Sequence, residues 1–112
     1  MLNATVSLDL ANAKKDRPDF NKYLADVTWT KLSNVDTVWT IHYPKAEEVN
    51  IPKIKTDIAN TLLAAAKELK LDRIDFVAQV GNGTAIGRHI IKKNGVYTVS
   101  EFNPHKPAVN PA

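Results

Sequence analysis

Ile54, Ile58, Leu62, Ala65, Ala66 and Leu69 recur at the spacing of one helical face. Lys53, Asn60 and Lys67 fall on the other face. A helix that is apolar on one side only has to lie on something. The segments around it supply that surface. Thr5 to Leu10 alternates strictly, with Val6, Leu8 and Leu10 on one side and Thr5, Ser7 and Asp9 on the other. Period two is the mark of a strand with one buried face. The chain therefore reads as helices laid on a sheet.

The remaining elements follow from local chemistry. Asp16 is placed to cap a helix with Pro18 in its first turn. Phe20, Tyr23, Leu24 and Val27 form its apolar stripe, two to three turns long. Val27 to Leu32 and Thr37 to Tyr43 are rich in β-branched and aromatic residues, with turn residues Ser33 to Asp36 between them. They read as an antiparallel hairpin that Pro44 ends. Asn50 and Pro52 open the long helix, which runs to about Lys70. Arg73 to Val80 alternates again, and Gly81-Asn82-Gly83 breaks it. Ile86 to Lys92 is readable as strand or as short helix. Asn94-Gly95 is a two-residue hairpin signal, followed by a strand from Val96 to Phe102.

The order is β-α-β-β-α-β with a C-terminal strand or hairpin. That is an α+β chain in the split βαβ, or ferredoxin-like, pattern: an antiparallel sheet with both helices on one face. Residues 1–102 form the single domain and 103–112 a proline-rich tail, extended or disordered. Val6, Leu8, Leu10, Trp39, Ile41, Ile74, Phe76 and Val80 are expected beneath the helices. Ser7, Asp9, Val38, Thr40, His42, Asp75, Val77 and Gln79 are expected on the open face. A mixed open face of this kind suits a symmetric dimer.

Composition narrows the chemistry. The chain has no cysteine, which removes disulfides, thiolate nucleophiles and thiolate metal sites. The first 60 residues carry eight basic and eight acidic groups, the rest seven and four, so the net charge of +3 lies in the second part. That surplus permits phosphate affinity without demanding it. No basic n-region with an apolar core opens the chain, and Leu62 to Ala66 is far too short to cross a bilayer. A soluble cytoplasmic protein without a membrane partner is expected.

Asp9, at the end of the first strand, is the residue that stands out. A carboxylate there can bind Mg²⁺ or Mn²⁺, and two copies across a two-fold axis can bracket a phosphodiester. The plainer alternative is hydrogen bonding to the loop that follows. Lys14, Lys15 and Arg17 lie just beyond and can hold a nucleic-acid backbone, or serve solubility. Arg88 to Lys93 is a second basic run. Gly81 to Gly87 fits neither G-x-G-x-x-G nor the Lys-containing phosphate loop, and reads as a flexible connection. His42, His89 and His105 show no i, i+4 metal pair. His42 on the open face is a candidate general base or an interface residue. Trp29, Trp39, Phe76 and Tyr97 can stack on bases or fill the core.

Thr5-Val6-Ser7-Leu8-Asp9-Leu10-Ala11-Asn12, a polar loop, a short helix and Trp29 to Ile41 resemble the small ferredoxin-like proteins of the superfamily containing virulence-associated protein D and the smaller CRISPR adaptation subunit. Ser7-Leu8-Asp9-Leu10 is similar to their Ser-Tyr-Asp-Leu strand end, and Asp36-Thr37-Val38-Trp39 to the Ser-Thr-Trp that starts their third strand. The resemblance covers about Thr5 to Gly81. Leu8 replaces the usual aromatic, and the segment after Gly81 has no counterpart. The resemblance implies homodimers connected with nucleic acid, some of them metal-dependent nucleases using the strand-end aspartate. Only Asp9 carries over as a catalytic and metal-binding candidate. The leading expectation is a dimeric nucleic-acid-associated protein, in its catalytic form a metal-dependent endoribonuclease, with RNA or DNA as partner. The rival is a non-catalytic module, such as an accessory protein of a phage or mobile element, that binds a protein partner through the open face. Fold alone does not decide between them.

Overall fold

The computed structural model describes residues 1–11, 16–33, 35 and 37–106. It is an α+β structure: a six-stranded antiparallel sheet and two helices. The elements run β1 (Leu2–Leu10), α1 (Arg17–Asp26), β2 (Thr30–Lys31), β3 (Val38–Tyr43), a 3₁₀ turn (Glu48–Asn50), α2 (Ile51–Leu69), β4 (Arg73–Val80), β5 (Ile86–Lys93) and β6 (Val96–Phe102). The sheet order is β2-β3-β1-β4-β5-β6. β3 thus lies between β1 and β2, and β1 between β3 and β4. The C-terminal hairpin continues the sheet beyond β4.

Burial follows the alternation. Leu2, Ala4, Val6, Leu8 and Leu10 are buried along β1, while the residues between them are exposed. Trp39 and Ile41 of β3 and Ile74, Phe76, Ala78 and Val80 of β4 complete the sheet's contribution to the core. Phe20 and Leu24 of α1 and Ile54, Ile58, Leu62, Ala65 and Ala66 of α2 pack onto the same cluster. One core therefore lies between one sheet face and both helices. Removing an apolar side chain from it costs about 2–5 kcal/mol. Trp29, Trp39 and Phe76 belong to this core, so they are not exposed platforms for bases. No helix among the described residues is long and apolar enough to cross a membrane.

Several elements differ from the local reading. β1 begins three residues earlier, at Leu2. β2 shrinks to Thr30–Lys31 because the chain leaves α1 through a tight cap. The Thr28 N–H donates to the Ala25 carbonyl at 3.0 Å and the Trp29 N–H to the Leu24 carbonyl at 3.0 Å, with Thr28 at φ 70°. This is the paired hydrogen bonding of a Schellman cap, in which the left-handed residue is usually glycine. It turns Trp29 into the core and leaves Val27 exposed. Asp16 stands at the N-cap of α1, but its side chain makes no capping hydrogen bond. Ile86–Lys93 is a strand, not a helix. Asn94 and Gly95 have φ 53° and 79°, the turn their sequence demands. Asn103 to Lys106 forms a turn, in which the His105 N–H donates to Asn103 Oδ1 at 2.9 Å. This part of the tail is therefore structured. The rest of the tail and Asn34 and Asp36 of the expected hairpin turn lie outside the described residues.

Candidate functional site

The open face of the sheet is uncovered by helices and carries the polar half of each alternating strand. Asp9, the last outward residue of β1, stands directly opposite Asp75 of β4. Asp75 stands opposite His89 of β5, and His89 opposite Ser100 of β6. Four strands thereby set one row of side chains across the sheet.

The pairing is specific. His89 Nδ1 lies 2.6 Å from Asp75 Oδ1. Arg73 Nε donates to both Asp75 oxygens, at 2.9 and 3.0 Å. Arg73 Nη2 also lies 3.5 Å from His89 Nδ1. One ring nitrogen cannot donate to Asp75 and accept from Arg73 in the same tautomer. The shorter contact decides: Nδ1 carries the proton and donates to Asp75, and the longer contact is only proximity. Nε2 then carries the lone pair. Among the described residues Nε2 has no hydrogen-bond partner. The imidazole stacks on Phe102, with ring centroids 4.3 Å apart and planes inclined by 24°. Asp75 and His89 are about one-third exposed, at 30% and 29%. Both are open to solvent, which moderates the strength of the hydrogen bond between them.

Beside this row lies a shallow concavity of ≈ 290 Å³, lined by Ser7, Leu8, Asp9, Thr37, Asp75, Phe76, Val77 and Phe102. Gly87, between Val77 and Phe102 in the register, leaves room for the Phe102 ring. The site is thus built mainly by strand pairing, with Thr37 contributed by the turn before β3.

Asp9 is therefore exposed on the open face and at this concavity. Arg17 opens α1, in the helix layer on the other side of the sheet, and does not line the concavity. Lys14 and Lys15 lie outside the described residues. Among the described residues, no three His, Asp or Glu side chains converge on one point. The donor set is the relevant test for Mg²⁺ or Mn²⁺. Asp9 offers one carboxylate, while its neighbour Asp75 is committed to Arg73 and His89. Among the described residues this is too few oxygen ligands for such an ion, and further ones would have to come from elsewhere, a second chain included.

Asp75, His89 and Phe102 were not singled out as a group by sequence. Each is visible there: Asp75 in an alternating strand, His89 in an ambiguous one, Phe102 at the end of the last. The missing signal was the register of β4 against β5. His42, expected on the same face, bonds instead to Asn3, with Nδ1 and Oδ1 2.6 Å apart, away from the Asp9 row. Comparison with known proteins found no family model, no curated protein and no solved structure that matches the chain.

Proposed function

We propose that this chain is a homodimeric, nucleic-acid-associated protein of ferredoxin-like fold, of the superfamily its first half resembles, and that its Asp9 site cleaves phosphodiesters in RNA. The observation that carries the reading is the opposition of Asp9 and Asp75 on an uncovered sheet face. Like charges directly opposite one another in a sheet are destabilising. Arg73 and His89 compensate the Asp75 carboxylate, whereas Asp9 has no such partner among the described residues, and chemistry at the adjoining concavity gives it one reason to be there. The order β2-β3-β1-β4 with two helices on one face supports the ferredoxin-like assignment.

In this reading the two-fold partner brings a second Asp9 towards the first, and Lys14 and Lys15 hold the nucleic-acid backbone, while Arg17, in the helix layer, takes no part in that contact. A second reading has its own support. Val38, Val77, Ile91 and Phe102 give the open face half-buried apolar surface, which suits a protein partner in place of a substrate.

The test is incubation of purified protein with RNA and DNA substrates in Mg²⁺, Mn²⁺ or EDTA, beside Asp9→Asn. RNA cleavage that the substitution abolishes, with the dimer intact by sedimentation, supports the proposal. Intact RNA in every condition sinks the catalytic part. Salt-sensitive binding without cleavage then leaves an adaptor, and no binding leaves the protein-interaction module.

A further inference from the structure

We propose that His89 is a general base acting on the 2′-hydroxyl of RNA, with Asp75 as its positioning residue, so that the open face supports a metal-free RNA cleavage. The inference rests on the nucleic-acid reading above and deepens it. It names single-stranded RNA as the substrate class, because only RNA carries the required hydroxyl.

Three observations converge on the imidazole, and a concavity adjoins it. Asp75 Oδ1 accepts from Nδ1 at 2.6 Å, which leaves the Nε2 lone pair available. Arg73 Nε grips both oxygens of Asp75, so the carboxylate cannot swing away from the ring. Phe102 stacks on the imidazole plane and fixes its remaining rotation. The concavity beside the row is lined by Asp75 and Phe102, the two groups that hold His89; His89 does not line it, but its side chain is 29% exposed at the same face. A base needs a free lone pair, a fixed orientation and room for the group it deprotonates. A solvated surface histidine has no need of a carboxylate, an aromatic stack and a braced counter-ion together.

The step balances without a metal. The 2′-hydroxyl proton passes to His89 Nε2. The 2′-oxygen forms a bond to phosphorus, and the bond from phosphorus to the 5′-oxygen breaks. The departing 5′-oxygen takes a proton from water, and the resulting hydroxide takes the proton from His89. The products are a 2′,3′-cyclic phosphate and a 5′-hydroxyl. Arg73 uses Nε for Asp75, and its Nη groups place positive charge beside the row, where a phosphorane gathers negative charge.

The experiment uses the full chain with an end-labelled single-stranded RNA in excess EDTA, and the same oligonucleotide carrying a single 2′-deoxy linkage. Binding is measured in parallel by fluorescence anisotropy. The proposal expects cleavage in EDTA, cyclic-phosphate ends and no cut at the deoxy linkage. His89→Gln should lower the rate by about 100-fold or more, the usual contribution of a positioned base. His89→Ala should regain activity when imidazole is added, because the stack on Phe102 leaves a slot for the free ring. Structural damage alone would not be rescued in this way. RNA that binds but is not cut in EDTA overturns the inference and leaves the nucleic-acid reading standing. RNA that neither binds nor is cut overturns both. Cleavage that His89→Gln leaves unchanged, or that yields 3′-hydroxyl ends, also overturns it.

Discussion

The ring of Phe102 occupies the space that a side chain at Gly87 would need. The two residues are register partners on β6 and β5, and a Cβ at Gly87 would stand 2.6 Å from the ring. Gly87 is therefore what lets Phe102 lie flat over the strand and reach His89. Gly87→Ala should displace the ring. The expected cost is about 1–3 kcal/mol, the usual penalty for overpacking. A thermal melt measures the loss. The His89 ring-proton shifts should move as the Phe102 ring current is withdrawn. Unchanged shifts would show that the stack does not depend on the glycine.

Asp9 and Asp75 face each other across β1 and β4, and among the described residues Asp75 has compensating partners while Asp9 has none. Asp9→Asn removes one of two opposed charges. It should leave stability unchanged or raise it by about 0.2–1 kcal/mol at neutral pH, less at high salt. Chemical denaturation at two ionic strengths reads this directly. A variant that loses activity while gaining stability would mark Asp9 as kept for function. A large destabilisation would instead make it a structural residue.

Thr28 sits at φ 70° where the cap of α1 favours glycine. A β-branched residue there carries backbone strain. Its side chain is exposed, so little packing is lost on removal. Thr28→Gly should stabilise the fold by about 1 kcal/mol, and raise Tm by roughly 4 °C. A lowered Tm would mean that the hydroxyl or methyl makes up for the strain.

The Tyr97 hydroxyl reaches the Leu71 carbonyl at 2.8 Å and the Ala66 carbonyl at 3.0 Å, and shares its single proton between them. It ties β6 to the end of α2. Tyr97→Phe should cost about 1 kcal/mol at neutral pH. Burial, with the nearby Asp72 charge second, raises the Tyr97 pKa above its ordinary 10.0. The neutral form is thus favoured in the fold. Its contribution is complete below about pH 10, where the unfolded phenol begins to ionise, and is lost as pH rises through the higher folded-state value. Tyr43 is raised in the same direction, by burial first and then by Asp57, and adds to the alkaline loss. Urea titrations from pH 8 to 11 should show wild type and Tyr97→Phe converging as pH rises. A constant gap would refute the link.

Much of the architecture was legible in local patterns. The stripe through Ile54, Ile58 and Leu62 and the alternation in Thr5 to Leu10 and Arg73 to Val80 each declare a buried side, because helix and strand periods differ. Asn94-Gly95 declares its turn because few residues accept positive φ twice in succession. The end of α1 was not legible, since nothing local distinguishes Thr28 in a left-handed cap from Thr28 opening a strand. Asp9 was legible as a strand-end carboxylate. Its neighbours Asp75 and His89 were not, because the β4–β5 connection contains three candidate turn residues, Gly81, Asn82 and Gly83, and each choice sets a different register.

The sequence by itself determined which side of each element is apolar, and hence that one sheet face is covered and the other open. It placed Asp9 on that open face. Only the tertiary structure decided which residues meet there. Side-chain alternation specifies a face and says nothing of a partner, because a slip of two residues preserves every burial preference while changing every neighbour. The register that joins Asp9 to Asp75, Asp75 to His89 and Gly87 to Phe102 is set by backbone pairing over the whole sheet together with the packing of the core beneath it. That is why the site on β1, β4, β5 and β6 emerges from the fold and not from any single stretch of chain.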